Sequence, residues 1–290
     1  MVVNHIPNVL LLGNGILRLA DGPKWSDLLE KIAENEISEA TLDEIPFSMR
    51  PEVLCGTESE RVQTKVSDEL KKWEQKIPQE LEELLTLDFD CILTTNYTYE
   101  IENILCNGKW TENRRKKALR CLNDSKSQHK NTHNCYEIER VDKPDIQVWH
   151  IHGDQARKRS LVLSYYSYAQ SLQKLQEYNA KTGGFHKKRQ DEGKAFVMKS
   201  WLDWLVCGNV YVVGLGLDFS ETDIWWALER KSREKAKVGK TFFYGDKDSD
   251  GKKAMLDTMQ IQYIPKQDES YKKHYQNIIV DIRGKIQEEK

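Results

Sequence analysis

No two cysteines stand at Cys-x-x-Cys spacing in the 290 residues, although the chain holds six: Cys55, Cys91, Cys106, Cys121, Cys135 and Cys207. A closed zinc site needs four ligands, most often two such pairs, so the common zinc ribbon is excluded and no structural metal is expected. His133 and Cys135 are close in sequence, but two ligands do not make a site, and the six thiols read as ordinary ones of a reducing compartment. No apolar run is long enough to span a bilayer, and Met1–Val9 lacks the basic-then-apolar order of a signal peptide. A cytoplasmic protein without a membrane partner is expected. A dominant charge sign is also missing. The formal net charge is -2, from 44 Lys and Arg against 46 Asp and Glu, so nucleic acid is not an obligatory partner. No repeat or low-complexity linker divides the chain. One domain over residues 1–290 is expected, with insertions at about 40–86, 107–140 and 178–195.

What is present is an alternation. Val9–Leu12, Phe89–Leu93, the run "IQVWHIHGD", Val210–Val213 and "KTFFYGD" read as buried strands, and Ile261–Ile264 as a last one. Helical patterns separate them at Trp25–Glu34, across Thr57–Leu87 with a break near Pro78, at Ile101–Leu105, from near Glu221, and at Lys252–Met259. Ser220 and Asp223 have capping-box spacing for the helix near Glu221. Buried strands alternating with helices predict an α/β fold built on a doubly wound, mainly parallel sheet. Ligands of such sheets bind outside the carboxyl ends of the strands. Two polar stretches break the pattern. Lys109–Lys130, with eight Lys or Arg, reads as a solvated surface insertion, and Lys181–Lys194 as a loop or a lid.

The strand ends carry the chemistry. Gly13-Asn14-Gly15 follows the first buried strand, where backbone N–H groups could face a phosphate. Arg18 stands where a dinucleotide fingerprint would have its third glycine, and no acid closes a second strand about twenty residues on, which disfavours a hydride-transfer dehydrogenase. Thr94-Thr95-Asn96 ends the second strand, as helix-capping groups or as holders of a water or a hydroxyl. His150 and His152, two apart, share a face if the strand runs through both, with His150 deeper and His152 at the mouth beside Gly153. Gly214-Leu215-Gly216 is a second glycine-rich strand end.

In this order the four motifs resemble the sirtuin superfamily, and most closely its bacterial sirtuin-like, NAD-hydrolysing branch. "GNGILRLADGPKWSDLL" is similar to that branch's first motif, with Gly13, Asn14, Gly15 and Arg18 near the phosphates and Pro23 and Trp25 ahead of the helix. "TTNYTYEIE" is similar to the segment that carries the catalytic asparagine, which falls on Asn96 with Thr95 before it. "WHIHGD" places the catalytic histidine on His152 and not on His150. "VVGLGLDFSETDIWWAL" looks like the segment that receives the adenosine half, with Gly214, Gly216 and Asp218. The resemblance covers about residues 8–245 outside the insertions. It implies a Rossmann-like, sirtuin-type fold and an NAD glycohydrolase that takes NAD as substrate and needs no metal. It also implies a role in antiphage defence by NAD depletion. A trigger is expected from a partner protein or from homo-oligomer assembly, since the length leaves no room for a separate sensor domain. Two alternatives stay open: an NAD- or nucleotide-binding module without turnover, and a deacylase or ADP-ribosyl transferase. Thr98 stands where the family usually has Asp, and the deacylases' paired zinc cysteines are absent.

Overall fold

The computed structural model describes residues 2–3, 5–22, 24–34, 37–73, 76–122, 131–140, 143–182, 196–234, 238–246, 248–267 and 270–288. Its strands are β1 (Val2–Val3), β2 (Asn8–Leu12), β3 (Cys91–Thr94), β4 (Leu119–Cys121), β5 (Asn134–Ile138), β6 (Ile146–His150), β7 (Phe196–Val197), β8 (Asn209–Val213), β9 (Thr241–Gly245) and β10 (Ile261–Pro265). The α-helices are α1 (Trp25–Ile32), α2 (Glu39–Asp43), α3 (Arg50–Cys55), α4 (Ser59–Leu70), α5 (Gln79–Leu85), α6 (Glu100–Leu105), α7 (Glu112–Ala118), α8 (Tyr165–Thr182), α9 (Trp201–Cys207), α10 (Thr222–Ser232), α11 (Asp250–Thr258) and α12 (Tyr271–Glu288).

Eight strands form one sheet in the order β10-β9-β8-β2-β3-β6-β5-β4, while β1 and β7 pair separately. From β10 to β6 every pairing is parallel; β5 and β4 extend the edge antiparallel. This is the doubly wound α/β architecture expected from the alternation. The pleat distributes the apolar runs to two layers. Val9, Leu11, Leu93, Trp149, Val210 and Val212 enter one core, covered by α8, α9, α10 and α11. Leu10, Leu12, Ile92, Val148, Tyr211 and Val213 enter the other, under α5, α6 and α12. Strands buried on both faces must be apolar throughout, and β2 and β8 are buried over their full lengths.

A third, helical core lies beside the sheet. Leu28, Leu29 and Ile32 of α1 pack with Leu54 of α3, Val62, Val66 and Leu70 of α4, and Leu161 and Leu163. From β2 the chain crosses to β3 on one side, and β8 later joins β2 on the other. The sheet therefore reverses its winding at β2 and β8, and their carboxyl ends, Leu12 and Val213, lie in register. A crevice forms at such a point because successive connections leave in opposite directions.

One sequence expectation needs correction. The capping box forms at Ser200 and Asp203, at the start of α9, and not at Ser220 and Asp223. Ser220 Oγ instead donates to Asp218 Oδ1 at 2.6 Å, and Asp223 points to His152 and Ser171. Lys109–Lys130, expected as a solvated surface insertion, contains α7 and β4, with Ala118 buried on Tyr99 and Tyr136. Few apolar anchors sufficed, since β4 is held by main-chain pairing to β5. Residues 123–130 of that stretch, 183–194 of the second polar stretch, and Pro23 lie outside the described residues.

Candidate active site

The carboxyl ends of β2, β3, β8 and β9, with the turn after β6, open on one cavity of about 430 Å³, a size common for small-molecule sites. Asn14, Gly15, Arg18, Trp25, Thr95, Asn96, His152, Gly214, Gly216 and Asp218 all line it; Gly13 does not. Residues far apart in sequence meet because parallel strands put all their carboxyl ends on one edge.

The two glycine turns lock together. Gly13 N–H donates to Val213 O at 2.9 Å, and Gly15 N–H to Gly214 O at 2.7 Å. A Cβ on Gly13 would lie 2.5 Å from Gly214 O and 2.6 Å from Leu215 Cα. The expectation that these two amides face a phosphate is therefore corrected: they are spent on joining β2 to β8, and only glycine lets the backbones come so near. Gly216 differs, because a Cβ there would meet nothing within 4 Å. Leu217, fully buried, takes φ 49 to turn the chain back into the core, an uncommon conformation for a branched residue. Residues Asn14–Ala20 form a 3-10 helix that presents exposed Arg18 to the cavity, with Lys24 also on its wall.

Asn96 is turned inward by its own strand end. Thr94 Oγ1 donates to Leu12 O at 2.9 Å and accepts Asn96 N–H at 3.0 Å. Asn96 Oδ1 is buried and has no partner among the described residues, and the same holds for Trp25 Nε1. A buried amide oxygen without a partner is expensive unless a ligand supplies one. Trp25 packs against Phe47 and Tyr97 at ring separations of 5.8 and 5.9 Å, making an aromatic wall.

The two histidines part company where β6 ends at His150. The rule that residues two apart share a face holds only inside a strand, so the expected shared face is corrected. His150 turns to α6, where Nε2 is 2.6 Å from Glu102 Oε1. His152, in the turn beyond, meets α8 and α10 of the opposite layer. Its Nε2 is 3.3 Å from Asp223 Oδ1, and its ring lies edge-on to Tyr168 at 5.2 Å. Gly153 follows at φ 86, where a Cβ would lie 2.2 Å from Ser160 O. Only glycine permits that turn.

Electrostatically the His152 wall is unusual. Burial disfavours its imidazolium, but the Asp223 carboxylate outweighs it and, with Glu221, raises the His152 pKa. Burial would raise Asp223, yet His152 and the hydroxyl of Ser171 hold it below the usual carboxylate range. Burial, aided by Asp223, pushes Glu221 up to about 7. Strongly shifted groups converging on a cavity mark functional sites. Such a wall can take up or release a proton at His152 or Glu221, while Arg18 and Lys24 can hold an anion.

Glu221, Tyr97, Tyr168, Asp246 and Tyr275 also line the cavity, and none was a candidate from sequence. Only Asp246 carried a signal, since Gly245-Asp246 ends β9 in the same strand-then-glycine manner as the other strand ends. Thr98, the departure from the family pattern, donates to the buried Glu100 Oε2 at 2.6 Å.

Residues 90–191 match the family model of the SIR2-like domain. Over that span the chain is similar to SIR2-like domains. The span runs from the start of β3 through Asn96 and His152 and supports the sirtuin-like resemblance of the motifs within it. No curated protein matches the chain. No helix among the described residues is long and apolar enough to cross a membrane, and no three His, Cys, Asp or Glu among them cluster as metal ligands.

Proposed function

We propose that the chain binds NAD as its substrate in this cavity and hydrolyses the nicotinamide–ribose bond, as an NAD glycohydrolase. The observation that carries the reading is the orphaned Asn96 Oδ1, buried in the cavity that His152 also lines. SIR2-like domains use NAD, and the match to such a domain supports the choice of substrate.

Nicotinamide is a good leaving group on a ribose carbon that tolerates positive charge, so cleavage passes through an oxocarbenium-like state. The water oxygen bonds to that carbon while the C–N electron pair leaves with nicotinamide, and His152 takes the proton from the water. Asn96 holds the water or a ribose hydroxyl in line, which replaces a costly search in solution. Arg18 binds a phosphate through charge-assisted hydrogen bonds. Thr95, Gly214, Gly216 and Asp218 border the remaining dinucleotide, and Trp25 walls the pocket. The products are nicotinamide, ADP-ribose and one proton.

The test is to incubate the purified protein with NAD and follow nicotinamide release. Wild type should release one nicotinamide per ADP-ribose. His152→Ala should lose roughly 10²–10⁴-fold in rate with fold and NAD affinity kept. Binding without release would favour a non-catalytic module, and release only with an acylated peptide a deacylase. The biological counterpart of the reading is antiphage defence, with hydrolysis started by a partner protein or by self-assembly. Infected cells carrying the wild-type chain should then lose NAD, and cells carrying His152→Ala should not.

A further inference from the structure

Asp223 has no part in the steps above, yet both of its carboxylate oxygens have partners. It is fully buried in the first turn of α10. Oδ1 accepts the N–H of Ile224 at 2.9 Å and lies 3.3 Å from His152 Nε2, while Oδ2 accepts Ser171 Oγ–H from α8 at 2.8 Å. With both oxygens tied, the carboxylate cannot swing away from the imidazole. An ionised carboxylate only accepts, so the ring nitrogen facing it carries the hydrogen.

We propose that Asp223 is a positioning residue that holds His152 in its Nε2–H tautomer and so makes Nδ1 the nitrogen that accepts the proton from the nucleophile. The proposal rests on His152 acting as the base in the reading above. A base is useful only if the nitrogen aimed at the nucleophile is the bare one. A free imidazole divides its hydrogen between two positions, and an anion fixed beside one nitrogen removes that choice. Ser171 serves the arrangement indirectly, by fixing the second oxygen.

The groups facing His152 are Asp223 of α10, Glu221 just ahead of that helix and Tyr168 of α8. Two of these are carboxylates, and they act against burial. Removing the Asp223 charge therefore lowers the His152 pKa, and the acid limb of the rate profile moves to lower pH. Glu221 could exert the same pull without touching the ring, so the test separates the two.

The experiment is a pH titration of 15N-histidine-labelled protein by long-range 1H–15N spectroscopy, with His152→Gln to assign the signals. Neutral His152 in wild type should carry its hydrogen on Nε2 and titrate above about 6.5. In Asp223→Asn its pKa should fall, the Nδ1–H form should appear, and kcat should drop on the order of 10²-fold with KM little changed. Ser171→Ala should move both ring signals in the same direction by less. A wild-type spectrum with the hydrogen on Nδ1 overturns the proposal whether or not Asp223→Asn folds. So does an Asp223→Asn protein with unchanged tautomer and pKa, or one in which only Glu221→Gln moves them. If wild type releases no nicotinamide, the hydrolase reading fails while the His152 spectrum still decides the role of Asp223.

Discussion

His150 donates from Nδ1 to the main-chain carbonyl of Asn96 at 2.7 Å, so the asparagine of the cavity is held through its backbone by a side chain that does not line the cavity. A carbonyl only accepts, which puts hydrogen on Nδ1, and Nε2 faces the Glu102 carboxylate at 2.6 Å. Burial opposes the imidazolium, but Glu102 prevails and raises the His150 pKa. With an acceptor at each ring nitrogen, His150 is a strut held most firmly as the imidazolium.

Replacing His150 with Ala leaves Glu102 buried and uncompensated, which should cost about 3–5 kcal/mol. The sign of its pH dependence follows from the raised folded pKa. The pair's contribution is complete below the unfolded value of about 6.5 and is lost as pH rises through the folded value. Urea titrations should show the gap between wild type and His150→Ala narrowing toward alkaline pH. A gap that widens would refute the imidazolium strut.

Asn96→Ala should behave in the opposite way. Removing an amide oxygen that has no partner among the described residues relieves a desolvation penalty of about 1–3 kcal/mol. The melting temperature should hold or rise while nicotinamide release collapses. A destabilised variant would mean that Asn96 serves the fold.

The glycines divide into two kinds. Gly13→Ala drives a methyl into the backbone of residues 214 and 215 and should cost about 1–3 kcal/mol. Gly216→Ala meets no atom within 4 Å and should be as stable as wild type, with its effect confined to NAD affinity. Thermal melts and calorimetric binding of the two variants together check this. Equal destabilisation by both would contradict the packing described.

The described part of the basic stretch, residues 109–122, does not line the cavity. Deleting it would strip α7 and β4 from Tyr99 and Tyr136, so charge removal is the cleaner test. Lys116 and Lys117 are exposed on α7, and changing both to Ala should leave NAD affinity within about twofold, a change worth under 1 kcal/mol. A tenfold loss would make the stretch part of the ligand site.

The central strands were legible in the sequence because burial on both faces demands an unbroken apolar run, as in Val9–Leu12 and Val210–Val213. The strand-end motifs were legible as well, because Gly13-Asn14-Gly15, Thr95-Asn96 and Gly214-Gly216 are local departures from such runs. What those residues do was not. Whether the amides of Gly13 and Gly15 are free or bonded depends on a strand almost two hundred residues away, and no local pattern encodes that distance. Ser220 and Asp223 have the spacing of a cap, yet His152 and Ser171 compete for the carboxylate and win. His150 and His152 look equivalent at alternate positions, and the end of β6 sends them to opposite layers. The short-range order of apolar and small residues determined which elements form, because backbone hydrogen bonding and burial act along the chain. Tertiary packing alone decided which charges meet, because electrostatic partners are chosen by distance in space.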